Sequence, residues 1–208
     1  MKDRSVFHMS KAQSTREKIL QQSAALFNQQ GYAGSSMSDI MRATGLQKGG
    51  IYNHFKSKDE LALAAFDFIF EQISQRYSAA LKGKRHALDR LRAMIEVFRI
   101  HIDVDDFLLK GGCPVLNTAI ESDDTHPALR QKAQAAMNNW RNLIHRFINK
   151  GIERQEIRAD IDADTVATVM ISSLEGAVMM SKLYDDPIHL TRVIDHLDRY
   201  LQTLVIQS

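Results

Sequence analysis

The 208-residue chain is poor in the features that staple, break or bury a backbone in unusual ways. It has one cysteine, Cys113, so no intramolecular disulfide framework is available and a reducing cytoplasm is the expected setting. It has three prolines, and each falls where a helix is expected to start: Pro114, Pro127 and Pro187. No run of alternating apolar and polar residues marks a strand, and no segment repeats. Without strands there is no strand-then-glycine phosphate loop. No uninterrupted apolar run approaches a membrane span, and no apolar stretch of signal-peptide length opens the chain. The eight histidines are scattered. His101 and His126 lack partners at ligand spacing, while His86, His145, His189 and His196 read as surface or helix-face residues. No metal site and no cofactor is expected. Asp105-Asp106 and Asp123-Asp124 are adjacent carboxylates, which point apart on a helix, so capping and solvation account for them. No nucleophile and base can be paired by spacing, and the chain does not read as an enzyme.

What is present is ordinary in amount and uneven in place. Hydrophobic residues make up 44% and charged residues 25%, which argues for a folded chain with a sizeable core. The net charge is +2. Residues 1–61 hold nine Lys/Arg against five Asp/Glu, giving +4; the remainder holds eighteen against twenty, giving −2. A basic head on a slightly acidic body fits contact with nucleic acid at one end. Residues 1–9 show no pattern that fits the fold and are expected to be disordered or foreign to it.

The stretch from Ser35 to Leu61, SSMSDIMRATGLQKGGIYNHFKSKDEL, carries the functional signal. Ser36 or Ser38 can cap a short helix whose apolar face is Ile40, Met41 and Thr44. Gly45 fits just past its end, where a left-handed backbone favours glycine. Leu46 tucks the turn in, and Gln47-Lys48 open a second helix through Phe55 with Ile51 and Phe55 inward. Two helices joined by a short glycine-containing turn form a helix-turn-helix, whose second helix enters the DNA major groove. Gly49 and Gly50 together cost that helix about 2 kcal/mol of propensity relative to alanine. Such a pair is useful where the backbone must approach another surface. Tyr52, Asn53 and His54 add groups for phosphates and base edges, and Lys58 adds charge.

These residues carry a resemblance. Gly45-Leu46, then Lys48-Gly49-Gly50-Ile51-Tyr52-Asn53-His54-Phe55, then Lys56-Ser57-Lys58-Asp59-Glu60-Leu61 resemble the DNA-binding domain of TetR-family transcriptional regulators. The likeness extends back through Phe27, Gly31-Tyr32, Ser36-Met37 and Ile40, about the first quarter of the chain. Met41 departs from it, standing where the family commonly has alanine. The resemblance implies an all-α protein: a three-helix helix-turn-helix domain at 10–56 joined to a ligand-binding and dimerisation bundle at 57–208. It implies a DNA surface drawn from Ser36, Ser38, Arg42, Gln47, Lys48, Gly49, Gly50, Tyr52, Asn53, His54 and Lys58.

Outside this stretch the reading is of helices. Ser14 and Glu17 suggest a capping box for a helix to Gln30, and Ser57 and Glu60 a second for a helix to Leu81. Leu88, Leu91, Ile95, Phe98 and Ile102 stripe another. Cys113-Pro114 opens a helix to Ser122; Ala128 to about Gly151, Asp164 to Leu183 and Pro187 to Leu204 complete the set. The stretch GGCPVLNTAIESDDTHP is similar, more loosely, to one branch of the family. The family implies an inducer cavity, for which Phe66, Phe70, Phe98, Cys113, Asn117, Trp140, Met170 and Leu174 are the candidate lining; simple core packing is the competing account. It implies a dimer interface on the last two helices, with Val169, Ser173, Gly176, Ala177, Met180, Ile194, Leu197 and Leu201 as candidates; an intramolecular core has the same periodicity. Cys113 reads either as a small buried residue or as an N-cap thiolate of lowered pKa that senses electrophiles. The expected function is a homodimeric regulator, most simply a repressor, released from a palindromic operator on double-stranded DNA by a small-molecule inducer whose identity the sequence does not give. The alternatives are a constitutive or architectural DNA binder, and a helical small-molecule binder or enzyme.

Overall fold

The computed structural model describes residues 11–101 and 106–206. Residues 1–9, Ile102 and Asp105, named above, lie outside the described residues. The helices are α1 (Lys11–Gln30), α2 (Met37–Thr44), α3 (Lys48–Tyr52), α4 (Lys58–Leu81), α5 (Ala87–Val97), α6 (Pro114–Ser122), α7 (Pro127–Glu153), α8 (Ala163–Leu183) and α9 (Ile188–Gln202), with one 3-10 turn at Phe98–His101. Among the described residues there is no strand, only an isolated bridge between Ile157 and Val205. The all-α expectation holds.

The head is α1–α3. Ile19, Leu20 and Ala24 of α1 meet Ile40, Ile51 and Phe55, and the same cluster continues into Leu61, Ala62 and Ala65 of α4. Burial of this apolar stripe, rather than propensity, holds the short helices. Ser36 is the N-cap of α2. Its Oγ accepts from Asp39 N at 3.2 Å, and the Asp39 carboxylate accepts from Ser36 N at 2.9 Å. Gly45 ends the helix at φ 69°, as expected.

Three local expectations need correction. The helix α1 begins by Lys11, so Ser14 and Glu17 are exposed positions inside it and form no capping box. Lys11-Ala12-Gln13 are good helix formers and carry the helix past Ser14. The second helix of the helix-turn-helix, α3, stops at Tyr52 rather than Phe55; Asn53 and His54 form a turn, with His54 N donating to Ile51 O at 2.9 Å. At the start of α4 only half a box forms. Ser57 Oγ accepts from Glu60 N at 3.0 Å, but Glu60 accepts from Lys56 N, one residue further back, at 2.8 Å.

The body is α4–α9. Helix α4 runs from the head into it and packs on α1, α5 and α7; α8 packs on α7 and α9. Helix α5 ends at Val97, and the expected stripe passes into the 3-10 turn at Phe98. Helix α7 does not stop at Gly151. That glycine lies inside it at the crossing with α5, where a Cβ would stand 2.7 Å from Ala87 Cβ. His86, read as a surface or helix-face residue, caps α5, its Nδ1 accepting from Leu88 N, and His126 caps α7, its Nδ1 accepting from Leu129 N. Helix α8 is long and apolar enough, by length and composition, to cross a membrane, contrary to the sequence reading. Here Val166, Ala167, Met170, Leu174, Ala177 and Val178 bury its inner side in the bundle.

Candidate nucleic-acid interface and effector site

The short α3 exposes one polar edge. Gln47, Lys48, Gly49, Tyr52 and Asn53 are exposed, and Gly50, His54 and Lys58 are half-buried. Ser36, Ser38 and Arg42 are exposed beside them. Arg42 pairs with Asp39. Hydrogen bonds from the Ser36 side chain and backbone, with Arg42 alongside, hold the Asp39 carboxyl below its usual range. The two glycines have no internal reason to be glycine. A Cβ on Gly49 would meet nothing within 4 Å, and one on Gly50 would make ordinary contact with Leu46 Cβ at 3.6 Å. Neither has a positive φ. Lys48 Nζ lies 5.6 Å from the centre of the Tyr52 ring, and Lys58 Nζ lies 4.1 Å from that of Tyr32.

The head is tied to the body through polar groups at the ends of α1 and α6. Tyr32 N and Ala33 N, in the turn after α1, donate to the two carboxylate oxygens of Glu121, each at 2.8 Å. Asn28 Nδ2 donates to Leu108 O at 2.8 Å and Gly112 O at 3.1 Å. Asn117 Nδ2 donates to Asn28 Oδ1 and Gly111 O, both at 2.9 Å. A Cβ on Gly111 would fall 2.1 Å from Asn28 O, so only glycine lets the two segments meet. The Tyr32 hydroxyl donates to Asp59. Burial, reinforced by Asp59, pushes that hydroxyl up to about 12.

Beside this junction lies a cavity of about 330 Å³ between α1, α4, α6 and α7. Its walls include Phe27, Phe66, Ile69 and Leu129, with Thr118 and Glu121 at the polar side. Of the expected lining residues it contains only Phe66. Phe98, Trp140, Met170 and Leu174 instead surround a void of about 10 Å³, room for about one water. Phe70 packs between Phe66 and Trp140, 6.3 Å from each ring centre. These side chains fill the core rather than line a cavity, and Asn117 is spent on the head–body clamp.

Cys113 is the N-cap of α6 but makes no capping bond. It is buried, and its thiol donates to Glu175 Oε1 at 3.1 Å. Burial, with the Glu175 carboxyl beside it, pushes the thiol well above its ordinary value. The expectation of a helix-activated thiolate is therefore corrected: desolvation outweighs the helix N-terminus, and Cys113 is a neutral packing residue. Burial also raises Glu175 to about 7. Its Oε2 has no hydrogen-bond partner among the described residues.

The candidate interface residues on α8 and α9 divide. Ala177, Ile194, Leu197 and Leu201 are buried within the protomer, so they stand behind the surface rather than on it. Val169, Ser173 and Gly176 are half-buried, and Met180 is exposed. A Cβ on Gly176 would meet nothing within 4 Å. The exposed apolar residues Met179, Met180, Leu183, Tyr184 and Ile188 follow from the end of α8 into the start of α9, with Leu183 69% exposed. The sequence reading missed all but Met180 of these.

Two family models match the chain. Residues 19–65 match the bacterial regulatory proteins of the tetR family, and residues 87–197 match the tetracyclin repressor-like C-terminal domain. The chain belongs to the TetR family. A crystal structure of a TetR transcriptional regulator from Chloroflexus aurantiacus J-10-FL is 46% identical, with a TM-score of 0.90 over 96% of this chain and 100% of that one. A TetR-family regulator from Cytophaga hutchinsonii is 33% identical, with a TM-score of 0.86 over 97% and 100%. The HTH-type transcriptional repressor DhaR of Mycobacterium sp. strain GP1 is 26% identical over 81% of this chain and 82% of its own. This TetR-family chain is thus a DNA-binding transcriptional regulator and not an enzyme, and its family is typically repressing. The residues that sequence reasoning missed are Asn28, Glu121 and Glu175. Glu121 lay inside the stretch whose looser family likeness was the only signal for it.

Proposed function

We propose that the protein is a homodimeric repressor that acts in the cytoplasm, holds a palindromic operator and releases it when a small molecule binds the body. The observation that carries this is the pair Gly49-Gly50: an exposed helix keeps two glycines that neither crowding nor backbone angle demands, so the constraint comes from a partner surface. In this reading Gln47, Lys48, Tyr52 and Asn53 face base edges and phosphates, while Ser36, Ser38, Arg42, His54 and Lys58 hold the flanking backbone. The N-terminus of α4 adds free N–H groups to the phosphate contact. The exposed apolar residues at the end of α8 and start of α9 are the face for a second copy, with Val169, Ser173 and Gly176 allowing close approach. Such a dimer presents two α3 helices at successive major grooves, roughly 34–36 Å apart. An inducer that prefers another head spacing shifts the population off DNA.

The test is selection of duplexes from a random pool, followed by titration of the selected palindrome and a scrambled duplex. We expect the selected site to bind at least about 1,000-fold more tightly at physiological salt, with both affinities falling steeply as salt rises. Equal affinity for the two at every salt concentration, or a monomer in sedimentation at micromolar protein that still binds the palindrome tightly, overturns the reading.

A further inference from the structure

We infer that the cavity between head and body takes a small amphipathic amine or ammonium compound, its apolar part among Phe27, Phe66, Ile69 and Leu129 and its cationic end on Glu121, and that this contact competes with the hold of α6 on the turn after α1. The inference rests on the effector reading above and gives it a site and a ligand class.

Four observations carry it. The cavity, about 330 Å³, is in the size range of small-molecule sites and mostly apolar. No Lys or Arg is among its lining residues. Glu121, on that lining, has no ion pair among the described residues; its two oxygens each accept one backbone N–H and keep a further lone pair. The neighbouring Asp59 differs, since it already takes the Tyr32 hydroxyl and lies 3.8 Å from His126 Nε2. Finally, the rings of Phe27 and Phe66 line the same space and favour a cation over an anion, whereas the Tyr32 ring already carries Lys58 Nζ at 4.1 Å.

The coupling follows from shared atoms. The oxygens available to an ammonium group are those that receive Tyr32 N and Ala33 N, and that turn leads through Ser35 and Ser36 into α2. A Cβ at Gly31 would stand 2.7 Å from Glu121 Oε1, so the turn and the carboxylate are in close register. A cation that draws the carboxylate toward the cavity leaves two backbone N–H groups without their acceptor. The head posture that needs them becomes less favoured, which is a population shift through competition for one side chain.

The experiment is calorimetric titration of the full-length protein, without DNA, using 4-phenylbutylamine and its neutral and anionic counterparts 4-phenylbutanol and 4-phenylbutyrate. We expect the amine to bind at least about tenfold more tightly than the carboxylate, a gap of about 1.4 kcal/mol. Glu121→Gln should lower amine affinity by at least about tenfold while changing the alcohol by less than about threefold. Thr118→Phe should abolish binding of both by filling the cavity. Amide exchange at Tyr32 and Ala33 should quicken when the amine is bound. The idea is overturned if amine and carboxylate bind equally, if the amine gives no heat up to millimolar concentration, or if Glu121→Gln leaves the amine affinity unchanged. Unchanged exchange at Tyr32 and Ala33 overturns the coupling. The comparison of the three probes needs only the unaltered protein, so a variant that fails to fold does not decide it. Because DNA is absent, a negative result here leaves the DNA-binding reading standing, and loss of operator binding leaves this one standing.

Discussion

The head and the body spend their residues in opposite ways. In the head, α3 keeps a polar, glycine-bearing edge that is mostly exposed, with open space around Gly49. In the body, α8 is largely apolar while α9 is amphipathic, and the α9 stripe that looks most like an interface is the one spent inside the bundle. A residue that violates what a helix needs points outward to a partner. A residue that satisfies what a helix needs says little about which neighbour it satisfies. Ile194, Leu197 and Leu201 repeat at ideal spacing and are core; Leu183, Tyr184 and Ile188, at the ragged join of α8 and α9, are the exposed face.

The largest effect expected separates those two sets. Leu197→Ala should destabilise folding by about 2–5 kcal/mol, since Leu197 is fully buried and its loss leaves a cavity. Leu183→Glu should leave folding of the chain nearly unchanged and dissociate the proposed dimer. Denaturant unfolding and sedimentation of both variants decide the matter. If Leu183→Glu unfolds the protomer, or Leu197→Ala dissociates it without lowering stability, the division between core and face is wrong.

Among the described residues, the body also holds a buried carboxyl group that the head does not. Glu175 is 4% exposed and raised to about 7 from an ordinary 4.5 by burial. Below the ordinary value the group is protonated in both states and carries no penalty. As pH rises from there to about 7 the unfolded chain ionises while the folded chain keeps the proton, so stability falls; above about 7 the loss is constant. Glu175→Gln should therefore stabilise the protein by about 3 kcal/mol at pH 8, with the gap closing toward pH 4.5. Unfolding curves at several pH values check it, and a gap that does not change with pH removes burial as the cause.

How much of this could be read from the sequence follows the same line. The helix-turn-helix was legible because Ser36, Gly45 and Gly49-Gly50 each answer to a local rule of caps, turns or propensity, and all point to one fold. The ends of helices were less so. Whether Ser14 caps α1 depends on whether Lys11-Ala12-Gln13 stay helical, and tertiary packing weighs in on that. The candidate effector site was least legible. Phe98, Trp140 and Met170 are large and apolar, and nothing in their spacing distinguishes a lined cavity from a filled core. Glu121 and Asn28 became visible only when the fold brought residues about ninety positions apart into contact. A polar residue whose partner is that distant leaves no periodic trace.

The next effect tests the head's side of the comparison. Gly49→Leu meets open space, so the melting temperature should hold or rise, helped by up to about 1 kcal/mol of helix propensity. Operator affinity should nonetheless fall about a hundredfold, near 2.7 kcal/mol. A variant that is both stable and fully able to bind the selected palindrome would show that the glycines are incidental.

The smallest effect asks whether the two sides of the DNA face do different work. Lys58 opens α4 rather than α3, and its ammonium sits 4.1 Å over the Tyr32 ring, at the rim of the head. In the proposed reading it meets phosphate, which is the same for every sequence, so Lys58→Ala should weaken the selected palindrome and a scrambled duplex by the same factor, about fivefold each. The slope of log affinity against log salt should flatten by about one per protomer, because one fewer counterion is released. Lys48 lies on α3, over Tyr52, among the groups proposed to face base edges. Lys48→Ala should weaken the palindrome more than the scrambled duplex and so narrow the ratio between them. Titrations of both variants on both duplexes at two salt concentrations read all of this. If Lys58→Ala narrows the ratio and Lys48→Ala does not, the order of the two helices on DNA is reversed, and α4 rather than α3 reads the sequence.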